Sequence, residues 1–549
     1  MRLVPASVAA RNSGDFTQND SLNSRDQLVE APRADDHVRP QCGGLSVFKI
    51  DSSETSQIAE PLDFEPAKNL ADDPQFLQIV ANTGRYGRGK PEPKLTRVAF
   101  KVSRLMEFCS ERELQNQTGH SISDWPLVVG KEVIDNALDA CEEAEAAPEI
   151  TINVDPETII IQDNAGGIDT ETINSILDYT IRVSSREAYV SPTRGAQGNA
   201  LKTILAMGYV LDRKIGSDAD AAGITIIETR GIRHQIEFRV DHINNQPKII
   251  HATAESAVKA GTKLTIKWPP VDLLKYVEGR FKQLIEGYVW FNPHLTLRGV
   301  WFGNEFINVK ATDLNWEKWR PRNPTSPHWY DESRLQRYLA AHVARDRDLG
   351  QHRTVRAFLS EFRGLSGSAV QRKILSEVGC SHMSLAQFFG LDQINRAGIA
   401  KLLAAMRKYS QPVRPKHLGI IGAEHLKQRF LASGGNADTF KYQQRKGMTS
   451  DGIPYIIEFA FGLHQSGLTQ GVPVSRKFVT GANWSVGIHN PFRAFGSTGE
   501  GLESTLAKVR ANASAPVICA LHLASAYIQY ADRGKSSIIL TDDAEQPDD

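Results

Sequence analysis

The sequence predicts an α+β multidomain protein, with an α/β layer sandwich, then a small helical region, then a second mixed region. Three observations lead there. Short β-rich runs at 150–154, 158–161, 224–228, 235–240 and 263–267 lie among apolar-periodic helical segments. Residues 331–410 read as helical, with breaks only at Gly350, Gly364 to Gly367, Gly379 and Gly390. Beyond Pro412 and Pro415 the composition turns mixed again and ends in strand-like runs at 516–523, 527–530 and 537–540. A sheet that must bury one face against helices gives a layered first domain.

Taken in order, residues 1–95 are rich in Asp, Asn, Ser, Gln and Pro and poor in aromatics, so they read as a disordered leader. The first domain spans 96–310. It opens on a helix whose stripe is Leu127, Val128, Val133, Ile134 and Leu138, followed by a strand, the turn Asp155-Pro156-Glu157 and a second strand. A Pro-rich bridge at 319–327 leads to a helical domain at 328–415. A mixed domain at 416–541 and an acidic tail at 542–549 complete the chain.

The 549 residues suffice for about three domains. Formal net charge is zero, so any nucleic-acid binding rests on a local patch rather than a global basic field. The five cysteines, Cys42, Cys109, Cys141, Cys380 and Cys519, are far apart and form no Cys-x-x-Cys pair, which argues against a zinc site and a secreted disulfide scaffold. No apolar run approaches the ~20 residues of a membrane span, and no signal-peptide core opens the chain. The expected setting is the cytoplasm, beside the nucleoid if the cell is bacterial or archaeal.

Three strings carry chemistry. Glu132, Asn136 and Asp139 fall at i, i+4 and i+7 of the first helix and share a face. Asp163-Asn164-Ala165-Gly166-Gly167 follows a β-rich run and opens a tight loop. Arg194-Gly195-Ala196-Gln197-Gly198-Asn199-Ala200-Leu201-Lys202 runs from a Gly-punctuated loop into an apolar helix, whose N-terminal amides can meet an anion. Splitting a terminal phosphate with water needs a carboxylate base and an oxygen ligand for Mg²⁺. Glu132 and Asn136 supply both from one face. A carboxylate such as Asp163 can accept from an adenine amine, and Gly166 and Gly167 admit the purine edge. Two rival nucleotide motifs fail. The P-loop-like string from Gly84 to Lys90 is followed by Pro91, and no Gly-x-Gly-x-x-Gly follows a strand.

Together these strings resemble the Bergerat-fold (GHKL) ATPases. The longer context, Asn136 to Ala144 followed by Pro148-Glu149-Ile150, with Ser184-Ser185-Arg186 ahead of the Gly loop, is similar to the B subunit of DNA topoisomerase VI. The resemblance implies a Bergerat-fold α/β-sandwich ATPase, a small helix-two-turn-helix-like domain and an α/β transducer domain. It implies ATP and Mg²⁺ as cofactors, Glu132 as general base and Asn136 as the Mg²⁺ ligand. Asp139, Asp163 and Gly167 would contact the nucleotide, with Ser185 and Arg186 reaching it from a lid. Gly195, Ala196, Gln197, Gly198, Asn199, Ala200, Leu201 and Lys202 would wrap the phosphates. The chain has Ala200 where that family usually has a third glycine, and Arg186 where lysine is common.

Further along, Pro327-His328-Trp329-Tyr330 and the segment 358–375 resemble that family's helical domain. A Gly-bounded turn opening a helix at Ser366 and Ser368 offers free amides to a phosphate, and Arg345, Arg347, Arg353, Arg356, Arg363, Arg372 and Lys373 make the surroundings basic. Arg363, Arg372 and Lys373 are the expected DNA contacts. The segment from His522 to Lys535 resembles the transducer run whose lysine reaches the γ-phosphate; Asn483-Trp484-Ser485 and Asn490-Pro491-Phe492-Arg493 match its structural strings. The implied partners are DNA, a second copy of the chain closing with ATP, and a Toprim protein, similar to the A subunit of topoisomerase VI, bearing the cleaving tyrosine. Only the short acidic stretch 536–549 follows Lys535, so a stalk helix is expected to be missing or shortened. The Asp-x-Asp pairs at Asp218/Asp220 and Asp346/Asp348 follow no apolar strand, so no DNA cleavage is expected from this chain alone. The alternative reading is a stand-alone GHKL ATPase acting as a DNA clamp or signalling module, without strand passage.

Overall fold

A computed structural model describes residues 109–177, 188–195, 200–216, 221–241, 246–269, 271–390, 393–465, 468–469, 472–473, 475–493, 500–531 and 537–539. The chain divides into two compact units, 1–97 and 98–549, and every described residue belongs to the second. The expected leader and acidic tail lie outside the described residues.

Helix α1 (Glu111–Thr118) starts at Ser110, whose hydroxyl accepts from the Glu113 amide at 3.2 Å. Helix α2 (Trp125–Glu143) follows, with Pro126 in the first turn, where a missing N–H costs nothing. It buries the expected stripe of Leu127, Val128, Val133, Ile134 and Leu138. Strands β1 (Glu149–Val154) and β2 (Thr158–Gln162) pair antiparallel, Thr151 opposite Gln162. Along β1, Ile150, Ile152 and Val154 are buried and alternate with Glu149, Thr151 and Asn153, the period-2 pattern of a one-sided sheet. Next come α3 (Thr170–Leu177), α4 (Ala200–Ile215), β3 (Gly223–Thr229), β4 (Ile232–Asp241), β5 (Gln246–Glu255), β6 (Thr262–Lys267), α5 (Val271–Phe291), β7 (Thr296–Trp301) and β8 (Asn304–Val309).

These eight strands form one sheet in the order β5-β4-β3-β6-β2-β1-β7-β8. Only β1 and β7 run parallel; the other neighbours are antiparallel. Helix α2 packs against both α4 and α5, and all three helices lie on the sheet. This is the expected α/β sandwich. Sequence patterning did not mark β5, α5, β7 or β8. The solvent-facing β5 lacks an apolar alternation, and none of its ten residues is buried.

The helical region contains α6 (Glu332–Asp348), α7 (Val355–Leu359), α8 (Ser368–Val378), α9 (Leu385–Phe389) and α10 (Arg396–Lys408) around a separate core of Trp329, Tyr330, Tyr338, Phe358, Phe362 and Leu402. Beyond it lie α11 (Ala423–Ala432), β9 (Lys441–Met448), β10 (Pro454–Leu463), the short pair β11 (Leu468–Thr469) and β12 (Val472–Pro473), β13 (Lys477–Ala482), β14 (Ser485–Val486), α12 (Leu502–Lys508) and β15 (Val517–Ser525). The second main sheet runs β14-β13-β15-β10-β9, with β13 and β15 parallel. The strand expected at 527–530 is instead an isolated bridge between Tyr530 and Ile538.

The two sheets share one core. Ile456, Val479, Trp484, Val486 and Ile518 join the same buried cluster as Ile134, Phe281 and Ile285. The fit is close: a Cβ on Gly287 of α5 would stand 2.8 Å from Val486 Cγ1. The second sheet is therefore anchored on the helix layer that carries the candidate site.

Candidate nucleotide site

Glu132, Asn136 and Asp139 rise from one side of α2. Glu132 and Asp139 are half-buried and Asn136 is exposed, whereas Val133, Ile134, Ala137 and Leu138 between them are core. Lys131 lies beneath this face, its Nζ 3.6 Å from Glu132 and 2.7 Å from Asp135. Burial opposes the Lys131 charge, but the carboxylates of Asp135 and Glu132 outweigh it and hold the ammonium well above its ordinary range. Asp135 also accepts from the Tyr288 hydroxyl at 2.8 Å and the Ser485 hydroxyl at 2.7 Å. Burial alone would raise its carboxyl; Lys131 reverses the direction and keeps it low. These bonds tie α2 to α5 and to β14 directly below Glu132.

Asp163 stands where β2 ends. Its Oδ1 accepts from the amides of Ala165 at 2.9 Å and Thr262 at 3.1 Å, which leaves Oδ2 for an incoming donor. Burial pushes its carboxyl up. Asn164 braces the loop: its side chain donates to Ala147 O at 3.0 Å and accepts from Glu149 N at 2.9 Å. Gly261 has φ +74°, and a Cβ there would stand 2.0 Å from Asp163 O, so the approach requires glycine. The Thr229 hydroxyl donates to Gly261 O at 3.1 Å and accepts from Ile168 N at 2.9 Å, fixing Gly166 and Gly167 beside it. A Cβ on Gly166 or Gly195 would meet nothing within 4 Å, so both glycines face open space.

Ala200, Leu201 and Lys202 form the first turn of α4, the first two half-buried and Lys202 buried. Ser185, Arg186, Ala196, Gln197, Gly198, Asn199 and Lys535 lie outside the described residues.

Immediately before the Gly loop, Arg194 is fully buried. It donates to Glu142 Oε1 at 2.7 Å and Oε2 at 2.9 Å, to Asp139 Oδ1 at 2.6 Å and to Asn292 Oδ1 at 2.6 Å. Its Nε reaches the Trp484 carbonyl at 3.5 Å. Lys318 adds a second cation, 2.7 Å from Glu142 and 4.0 Å from Asp139, and His294 Nε2 lies 3.1 Å from Glu142. Two cations and two carboxylates thus balance in the interior. Burial alone would raise Glu142; Arg194 and Lys318 outweigh it and hold the carboxyl well below the ordinary range. Asp139, at the rim, is pushed up by burial. Asp139, expected to touch nucleotide, gives a carboxylate oxygen to Arg194. It borders a cleft of about 370 Å³ that Thr193, Gly195 and Arg322 also line.

Arg363, Arg372 and Lys373 are all exposed in the helical region. Helix α8 has Gly367 at its N-cap with no side-chain cap, leaving its first amides without that partner. Arg353 is different: it is committed to Glu361 and lies 3.6 Å from Asp346.

Named proteins similar to this chain in sequence include two archaeal ones. The Archaeoglobus fulgidus protein, the B subunit of type 2 DNA topoisomerase 6, is 26% identical over 434 residues, covering 75% of this chain and 66% of that one. The Methanosarcina barkeri protein of the same name is 26% identical over 342 residues, covering 60% and 51%. The chain is a sequence relative of the B subunit of type 2 DNA topoisomerase 6. It spans between about half and two thirds of the length of these curated relatives. No protein-family model matches it. Among solved structures, the ATPase region of Saccharomyces cerevisiae topoisomerase II aligns at 10% identity over 76% of this chain and 78% of that one, with a TM-score of 0.31. Among the described residues, no helix is long and apolar enough to cross a membrane.

Sequence reasoning gave no role to Arg194, Glu142, Lys318, Asn292, Thr229 or Gly261. Arg194 directly before Gly195 was the available signal for the hub. Nothing in the sequence marks Thr229 or Gly261 as neighbours of Asp163, because the adjacency arises from β2–β6–β3 pairing.

Proposed function

We propose that the chain is the ATP-hydrolysing, nucleotide-gated component of a topoisomerase VI-like (type IIB) DNA topoisomerase, closing as a homodimer and acting with a separate DNA-cleaving protein. The observation that carries this reading is the placement of Glu132 and Asn136 on one face of α2, with Asp163 at the end of β2, on which α2 packs. The donors fit a magnesium nucleotide: carboxylate and carboxamide oxygens for a hard cation, Asp163 Oδ2 for an amine, and open space at Gly166 and Gly195.

In this reading Glu132 holds the attacking water and takes its proton. The Asn136 carbonyl oxygen holds Mg²⁺, and Asp163 accepts from the exocyclic amine of adenine. Gly195, the residues from Ala196 to Asn199, and the first turn of α4 at Ala200, Leu201 and Lys202 present amides to the phosphates. Ser185 and Arg186 close over the nucleotide, and Lys535 meets its terminal phosphate. ATP with Mg²⁺, when bound, supplies the phosphoanhydride bond and neutralises charge on its oxygens. The Arg194 hub supports the gating part of the reading, because it joins the Gly loop to the second sheet through Trp484 O.

Light scattering of the purified chain with Mg²⁺ and a non-hydrolysable ATP analogue tests the gate. The expected result is a monomer that dimerises with the analogue. Asp163→Asn should abolish analogue binding. Lys535→Ala should weaken closure while leaving ADP binding nearly intact. A wild-type chain that stays monomeric in both conditions overturns the gate.

A further inference from the structure

Close to the start of α2, His120, Asp124 and His489 bring one ligand atom each to within 4.8 Å of one another. We propose that these three side chains bind a divalent transition-metal ion of the zinc class, joining the loop ahead of α2 to the segment that follows β14. His489 Nε2 lies 3.5 Å from Asp124 Oδ2, and the two imidazole rings have centroids 5.4 Å apart. Zinc bonds of about 2.1 Å place tetrahedral ligands roughly 3.4 Å apart, so closure needs only small side-chain shifts.

The surroundings are organised as a metal site requires. Asp124 and His120 are buried and His489 is half-buried. Asp124 Oδ1 accepts from Arg280 Nη1 at 2.6 Å, which orients the carboxylate and leaves Oδ2 toward His489. The backbone of His120 is fixed on both sides. Its amide donates to Thr118 Oγ1 at 3.2 Å, and its carbonyl accepts from Trp125 Nε1 at 3.3 Å.

The donor set selects the ion. Two imidazoles with one carboxylate suit zinc, nickel, cobalt or ferrous iron rather than Mg²⁺. The ion would therefore be distinct from the Mg²⁺ proposed at Asn136. Three protein ligands leave a further position open, and His489 borders a cleft of about 380 Å³ shared with Asn490, Arg493 and Glu503. Cysteine spacing could not reveal such a site, because it uses imidazoles drawn from two distant parts of the chain.

The test is calorimetric titration of the full chain, stripped with chelator and free of nucleotide, with zinc chloride. One equivalent should bind and raise the unfolding temperature, and cobalt(II) should give visible d–d absorption. His489→Gln, on a half-exposed side chain, should fold normally by circular dichroism and weaken binding more than the roughly 10–100-fold that removal of a supporting partner costs. His251→Gln, in the separate His234–His251 pair, should leave binding unchanged. Absence of zinc binding, unchanged binding in His489→Gln, or its loss in His251→Gln each overturns the site. Because no nucleotide is present, these results are independent of the ATPase reading.

Discussion

The guanidinium of Arg194 holds the carboxylate of Glu142 through two hydrogen bonds of 2.7 and 2.9 Å, with neither side chain more than 4% exposed. Glu142 sits at the C-terminal end of the helix that carries Glu132, and Arg194 immediately precedes the Gly loop. The same guanidinium reaches the carbonyl of Trp484 in the turn between β13 and β14 of the second sheet. Three parts of the molecule therefore meet at one buried cation.

Removing that cation should be costly. Arg194→Met leaves Glu142 and Asp139 with only Lys318 opposite them, and breaking a buried pair in this way costs about 3–5 kcal/mol. Arg194→Lys should restore little, because a point charge cannot make the paired contacts of a guanidinium. Denaturant unfolding checks this. A change below about 1 kcal/mol in Arg194→Met would show that the hub is not an energetic joint.

Acid should weaken the fold from about pH 6.5 downward. Burial lowers His522 to about 3 and His425 to about 4, from an ordinary 6.5. Between those values the unfolded chain binds protons that the folded chain refuses, so stability falls with falling pH. The slope is up to ~1.4 kcal/mol per pH unit for each histidine. Glu142 acts in the same direction at lower pH: its stabilisation is complete above about 4.5 and is lost as pH falls toward its depressed folded value. His522→Gln keeps an acceptor for the Trp484 backbone N–H, whose nitrogen lies 2.9 Å from His522 Nε2, but has no titrating ring. Its pH–stability curve should be flatter between about pH 6.5 and 4; an unchanged slope contradicts the assignment.

DNA binding should depend on the exposed cations of the helical region. Replacing Arg363, Arg372 and Lys373 together should weaken binding and reduce its salt slope by roughly 0.9 for each phosphate no longer neutralised. Fluorescence anisotropy at several salt concentrations measures both. An unchanged affinity in the triple variant would move the DNA site elsewhere or remove it.

Much of the site's frame was readable because its signals are local. The i, i+4, i+7 spacing on α2 and the strand-to-loop change at Asp163 depend only on neighbours in sequence, and both elements form where expected. The hub was not readable in the same way. Arg194, Glu142, Asn292, Lys318 and Trp484 are brought together by packing of distant elements, and a buried charge looks like any surface charge in sequence. Strand β5 was missed for the opposite reason, since its outward face carries no core pattern.

Steady-state hydrolysis by Glu132→Gln tests whether Glu132 is the base of an ATP-hydrolysing site. ATP binding, measured in parallel with a fluorescent analogue, should stay close to wild type, because the glutamine preserves shape and leaves Asn136 and Asp163 in place. Turnover should fall by roughly 10²-fold or more, the scale of a missing general base. A variant that binds and hydrolyses ATP at the wild-type rate would show that Glu132 is not the base.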